Sequence, residues 1–262
     1  MPDDAGAVHG APCWVSLMTH DLDAAMRFYQ SALGWTYRPG FRDQEQGYQL
    51  ALADGRPVAG LGMTAQTRTF APAWTAYFQA QSVNEVAGRI QERGGTVAVG
   101  PLPFGTGRVL WAADRQDARF GVWEGDPVPG WRMRHRAGAP ARLQLVTGDA
   151  FAAAMFYGGV FAWDTREPER VSVRFESDHV VLCVDGHHVA DLWGGAVEEA
   201  PDPTVRPQWH VYFCVDDVDD VAARTEAAGG SVVQAPELSH FGRVAGLRDP
   251  EGSLFHVTSE HT

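Results

Sequence analysis

Apolar and polar positions along the chain alternate in two periods, and the periods change over in a fixed order. Trp14–Thr19 alternates with a period near two, the mark of a strand with one face buried. Asp21 then stands where a helix N-cap belongs, and Leu22, Ala25, Met26, Tyr29 and Leu33 form one helical face that stops at Gly34. Strand-like runs follow at Gln49–Ala53 and Val58–Gly62. The order then restarts: Trp74–Gln79 reads as a strand, Ser82-Val83-Asn84-Glu85 as a capping box, and Gly94-Gly95 as the stop of a helix with Val83, Val86, Ala87 and Ile90 on its apolar stripe. Strands near Thr96–Val99, Gly107–Ala112 and Phe120–Trp123 complete the half.

The second half gives the same reading. A strand at Leu143–Val146 leads to a helix from Asp149, then to strands near Val171–Phe175, Val180–Val184 and Val189–Trp193, with Asp185-Gly186 as a hairpin turn. His210–Val215, a helix from Asp217, and strands near Ser231–Val233, Gly242–Ala245 and Leu254–Thr258 follow. The unit is βαβββ, used four times, so the fold class is α+β. About four helices against many strands exclude a (β/α)₈ barrel and argue against a doubly wound sheet, which need roughly one helix per parallel strand.

The chain also repeats residue by residue. Thr19, Asp21, Ala24, Ala25, Phe28, Tyr29 and Trp35 recur as Thr147, Asp149, Ala152, Ala153, Phe156, Tyr157 and Trp163, and Trp74, Tyr77, Phe78, Gly107, Arg108, Val109, Asp114 and Phe120 recur as Trp209, Tyr212, Phe213, Gly242, Arg243, Val244, Asp249 and Phe255. This is a tandem duplication. The expected organisation is an N-terminal tail at 1–10, a first domain at 11–126, a Pro- and Gly-containing linker at 127–141 and a second domain at 142–260.

Composition narrows the function. In 262 residues there are 33 acidic side chains against 21 basic ones, for a net charge of −12, which argues against nucleic acid or an anionic membrane as partner. All the basic residues are Arg, so Schiff-base and P-loop lysine chemistry is excluded. Cys13, Cys183 and Cys214 form no C-x-x-C pair, which fits a reducing compartment. No secretory pattern and no run of roughly 20 apolar residues is present, so a cytoplasmic protein is expected.

The motif D-x-x-A-A-x-x-F-Y at Asp21–Tyr29, the W-x-x-Y-F string at Trp74–Phe78 and the G-R-V run leading to Asp249-Pro250-Glu251-Gly252 resemble the vicinal oxygen chelate superfamily of glyoxalases, extradiol dioxygenases and bleomycin-resistance proteins. The resemblance implies paired βαβββ modules whose sheets curl around a cavity, and metal ligands at four inward positions per domain. In the first copy these fall on Trp14, Gly60, Thr75 and Gly121, none of them a competent ligand; in the second they fall on Arg142, Asp191, His210 and His256. Asp191, His210 and His256 are therefore the candidate metal ligands, a donor set compatible with Fe²⁺, Zn²⁺, Mn²⁺ or Ni²⁺. No nucleotide cofactor is expected.

Strand alternation supports a shared face for His210, Tyr212 and Cys214, opposite Val211 and Phe213. Tyr212 and Arg142 are the candidate catalytic residues, the one donating a hydrogen bond and the other pairing with a substrate anion. Gln144, Trp193, Trp209 and Cys214 are the candidate substrate contacts, although packing against the helices would account equally well for the tryptophans. His187-His188 reads as a solvated hairpin, His179 and His240 as loop residues, and His9, His20, His135 and His261 lie near termini, a cap or the linker. Two functions follow: a metal-dependent lyase, isomerase or oxygenase acting on a small organic substrate in the second domain, or a metal-free protein that sequesters a flat apolar or aromatic compound. A monomer with the two copies packed on each other is expected.

Overall fold

The computed structural model describes residues 7–40, 47–63, 71–133, 135–163, 165–176, 179–194 and 206–259. His261 and the end of the second predicted domain at 260 lie outside the described residues. The first copy contains β1 (Pro12–Thr19), α1 (Leu22–Leu33), β2 (Thr36–Pro39), β3 (Tyr48–Ala53) and β4 (Arg56–Met63), then β5 (Ala73–Ala80), α2 (Val83–Glu92), β6 (Thr96–Phe104), β7 (Gly107–Ala113) and β8 (Arg119–Glu124). The second contains β9 (Pro140–Val146), α3 (Ala150–Phe161), β10 (Val171–Phe175), β11 (His179–Val184) and β12 (His187–Trp193), then β13 (Gln208–Cys214), α4 (Val218–Ala227), β14 (Ser231–Ser239), β15 (Gly242–Arg248) and β16 (Leu254–Thr258). Four βαβββ modules result, in two mixed eight-stranded sheets with orders β2-β3-β4-β1-β5-β8-β7-β6 and β10-β11-β12-β9-β13-β16-β15-β14.

Each of these four helices starts where a side chain can accept a hydrogen bond from an otherwise unsatisfied backbone N–H. Asp21, Ser82, Asp149 and Asp217 accept from the N–H groups of Ala24, Glu85, Ala152 and Asp220. Within each module the first strand runs parallel to the last, as β1 does to β4, β5 to β8, β9 to β12 and β13 to β16. Strand β2 was not predicted; its residues are mostly exposed, so no buried alternation marks it.

The chain forms two compact units that cut across the copies. The first unit takes Met1–Cys13, Ala76–Pro127 and Leu143–Trp209; the second takes Trp14–Thr75, Val128–Arg142 and His210–Thr262. Each unit thus combines one module from each copy, and the shared sequence motif explains how. In the second unit Trp74 Nε1 donates to the Tyr29 hydroxyl (2.9 Å), which donates to Asp249 Oδ2 (3.0 Å), while Asp249 Oδ1 accepts from the backbone of Glu251 and Ser253. In the first unit Trp209 Nε1, the Tyr157 hydroxyl and Asp114 repeat the chain at 3.0 Å per link. The tyrosine comes from one copy and the aspartate from the other. Aromatic rings fill the core around each chain: Phe28, Trp35, Phe213 and Phe255 in the second unit, Phe78, Phe120, Phe156 and Phe161 in the first.

Candidate functional site

The first-copy slots are closed by tyrosines. In the second unit a Cβ on Gly60 would collide with the Tyr48 hydroxyl, which itself accepts a hydrogen bond from Trp14 Nε1 (2.8 Å), and the Trp14 ring packs on Trp131. In the first unit a Cβ on Gly121 would collide with the Tyr77 ring, whose hydroxyl accepts from Trp111 Nε1 (2.9 Å). Glycine at each slot is what lets the ring lie down there, so the space other side chains would need is already packed.

The second copy places different chemistry at the matching positions. Within the second unit, Tyr212 on β13 stands beside His256 on β16. The His256 ring stacks on His210 (4.5 Å between centroids, 14° between planes) and on Tyr212 (4.6 Å, 26°). Phe241 meets Tyr212 edge-on, and the Arg142 guanidinium lies 4.2 Å over the Phe241 ring. Tyr212, His256 and Arg142 are buried, while His210 and Phe241 are half-buried. Burial lowers the His210 pKa to about 4, and burial with the neighbouring His210 holds His256 well below the usual imidazole range. Both rings are therefore neutral at pH 7. Nδ1 of His256 is buried without a hydrogen-bond partner. Cys214 shares this unit, buried, its backbone bonded to Gly138 and Ala139.

The remaining candidates lie in the first unit. Asp191 on β12 is fully buried, pairs in register with Gln144 on β9, and has His188 Nε2 2.6 Å from its Oδ1 and His179 Nε2 at 3.9 Å. The His179 ring lies flat on Trp193 (4.3 Å, 1°). His188 is thus not a solvated hairpin residue and His179 not a loop residue: both sit on strands and turn toward the Asp191 carboxylate. Trp209 is in the core, donating to Tyr157 and packing on Phe78, so it fits the packing alternative. Alternation alone could not find His188, because a register shift changes which face it occupies.

Comparison with known proteins agrees with this architecture. A family described as "Glyoxalase-like domain" matches residues 142–258, and one described as "Bleomycin resistance protein-like N-terminal" matches residues 13–46. A Mycobacterium tuberculosis protein with the name "Putative glyoxylase CFP32" is 31% identical over 262 residues, spanning 98% of this chain and 97% of its own. The chain belongs to the vicinal oxygen chelate superfamily. The anthracycline biosynthesis protein DauV of Streptomyces sp. (strain C5) is 30% identical, covering 95% of this chain and 92% of its own. Among solved structures, the Mn(II)-bound glyoxalase of Novosphingobium aromaticivorans superposes with a TM-score of 0.62 at 17% identity, covering 98% of this chain and 84% of that one, a likeness of fold.

The superfamily implies a divalent metal, and the donors present do not fit one as arranged. An imidazole nitrogen ligates in its ring plane at about 2.0–2.1 Å. The nearly parallel, stacked planes of His210 and His256 have no such point in common, so an ion in one plane stands off the other. Asp191 is engaged by His188. Among the described residues, no group of three or more His, Cys, Asp or Glu side chains is placed to hold a metal ion. A cavity of about 280 Å³ in the first unit, lined by Asp114, Arg115, Gln116, Thr147, Asp149 and Phe156 among others, involves none of the predicted site residues.

Proposed function

We propose that the protein binds a flat, oxygen-bearing aromatic small molecule against the ring wall of the second unit, the second of the two functions considered from the sequence. The observation that carries this reading is the buried, unpartnered His256 Nδ1 within the His210–His256–Tyr212 stack. A buried polar atom without a partner costs about 1–3 kcal/mol, and a ligand hydroxyl or carbonyl that pairs with it recovers that cost. Neutral imidazole and phenol rings offer the offset or edge-on surfaces that a planar aromatic prefers. Arg142, held over Phe241, supplies positive charge for an ionised ligand oxygen. The Tyr212 hydroxyl can donate a hydrogen bond, and a neutral imidazole can accept one from a ligand hydroxyl. The full-length likeness to an anthracycline biosynthesis protein supports a polycyclic, oxygenated ligand.

Titration of the full chain with 1,4-dihydroxyanthraquinone, followed by quenching of tryptophan fluorescence, is expected to saturate. His256→Ala is expected to weaken binding at least about tenfold, or about 1.4 kcal/mol, with His135→Ala unchanged. No saturable binding, or an affinity indifferent to His256, refutes the proposal.

A further inference from the structure

The Asp191 carboxylate is the one acidic group at a superfamily ligand slot in this chain, and the backbone of β12 determines what it meets. In the β11–β12 ladder Leu182 pairs with Ala190 and Cys183 with His188, so Val189 is an extra, unpaired residue. In a regular strand residues three apart point to opposite faces. The bulge at Val189 turns His188 and Asp191 to the same side, where His188 Nε2 comes within 2.6 Å of Asp191 Oδ1. The first copy has the same shift between Ala51 and Leu52, leaving Val58 unpaired, with Pro57 and Gly60 at the positions of His188 and Asp191. Both copies therefore share the backbone device, and the second one has loaded it with an imidazole and a carboxylate.

A carboxylate oxygen binds a first-row dication at about 2.0–2.2 Å. An imidazole nitrogen hydrogen-bonded to that oxygen occupies the approach a cation would use. His179, stacked flat on Trp193, stands at the same oxygen and adds a second ring to its surroundings. We propose that His188 takes the place of a metal ion on Asp191, so that this position is a metal-excluding variant of the superfamily centre, with an internal hydrogen bond where its relatives' fold accommodates an ion. His188 is then a positioning residue: it holds the carboxylate in place and satisfies it.

This inference does not depend on which ligand the ring wall takes. Its test uses the full chain stripped with chelator and dialysed against Mn²⁺, Zn²⁺ or, anaerobically, Fe²⁺. The wild type is expected to retain less than about a tenth of an equivalent of each, and Mn²⁺ to keep the electron paramagnetic resonance spectrum of the free ion. His188→Ala is expected to bind Mn²⁺ at least about tenfold more tightly than the wild type, whereas His188→Gln, whose amide still donates to Asp191, is not. Stoichiometric uptake by the wild type that disappears in Asp191→Ala overturns the proposal, as does His188→Ala binding no better than wild type. If His188→Ala does not fold, the wild type decides: Mn²⁺ that selectively broadens the His188 and His179 ring resonances overturns it, and unbroadened resonances support it. Loss of anthraquinone binding with metal exclusion intact would count against the proposed function alone.

Discussion

His9 shows how one side chain can make the whole protein sensitive to acid. It is buried, its Nδ1 accepts from the backbone of Gln81, and its pKa is lowered to about 4 by burial first and by Arg166 and Arg89 next. Above about pH 6.5 it is neutral in both the folded and unfolded chain and contributes nothing to pH dependence. As pH falls from about 6.5 toward 4 the unfolded chain gains a proton that the folded one refuses, so stability is lost across that window. His210 and His256, also depressed, act with the same sign. Asp114 and Asp249, raised by burial, act oppositely: their contribution falls as pH rises through their folded values. Calorimetric melting temperatures are therefore expected to hold above pH 7 and to decline below 6.5, with a shallower decline in His9→Gln. An identical decline in that variant would remove His9 from the account.

The same scale separates the legible residues from the illegible ones. The shared face of His210 and Tyr212 follows from strand alternation, whereas their meeting with His256 was legible only through the superfamily resemblance. His188 was not legible, because the bulge at Val189 shifts register by one residue and nothing in composition announces it, and His179 was not because it opens β11 one residue before the strand that the alternation marks at Val180–Val184. Trp193 and Trp209 illustrate the limit for aromatics: one stacks on His179 and the other donates into the core, and only the fold distinguishes them.

Among the elements, helices were legible because capping is local. All four predicted N-caps accept the expected backbone hydrogen bond. The motif that carried the superfamily resemblance turns out to be structural, since its tyrosine, tryptophan and aspartate form the buried chain in each unit. Removing the hydroxyl in Tyr29→Phe leaves Trp74 Nε1 and Asp249 Oδ2 without that partner. Urea denaturation is expected to show a loss of about 1–3 kcal/mol, and Tyr157→Phe a similar loss through Trp209 and Asp114. A change under about 0.5 kcal/mol in both would mean that the chain of hydrogen bonds is dispensable. The neighbouring glutamate of the Asp-Pro-Glu-Gly turn is structural too: Glu251 accepts from the Thr19 hydroxyl and the His20 backbone, as Gln116 does from Thr147 and Gly148.

For the whole molecule, duplication was legible from the constant spacing of repeated residues, but the exchange of modules between copies was not. Offsets record which residues correspond; they do not record which copy supplies the partner. Tyr29 needs Asp249 and Tyr157 needs Asp114, so residues 1–126 alone lack half of each unit. That fragment is expected to be insoluble or to pair with a second fragment, placing Asp114 where Asp249 belongs. Light scattering that found it a well-folded monomer would contradict the exchange. Synthesis on the ribosome feels the same dependence. The first unit becomes completable once residue 209 has emerged, while the module from Trp14 to Thr75, made earliest, must wait for the last segment of the chain. At elongation rates of about 5–20 residues per second that interval is on the order of ten to forty seconds, during which its aromatic face stays uncovered and open to chaperones.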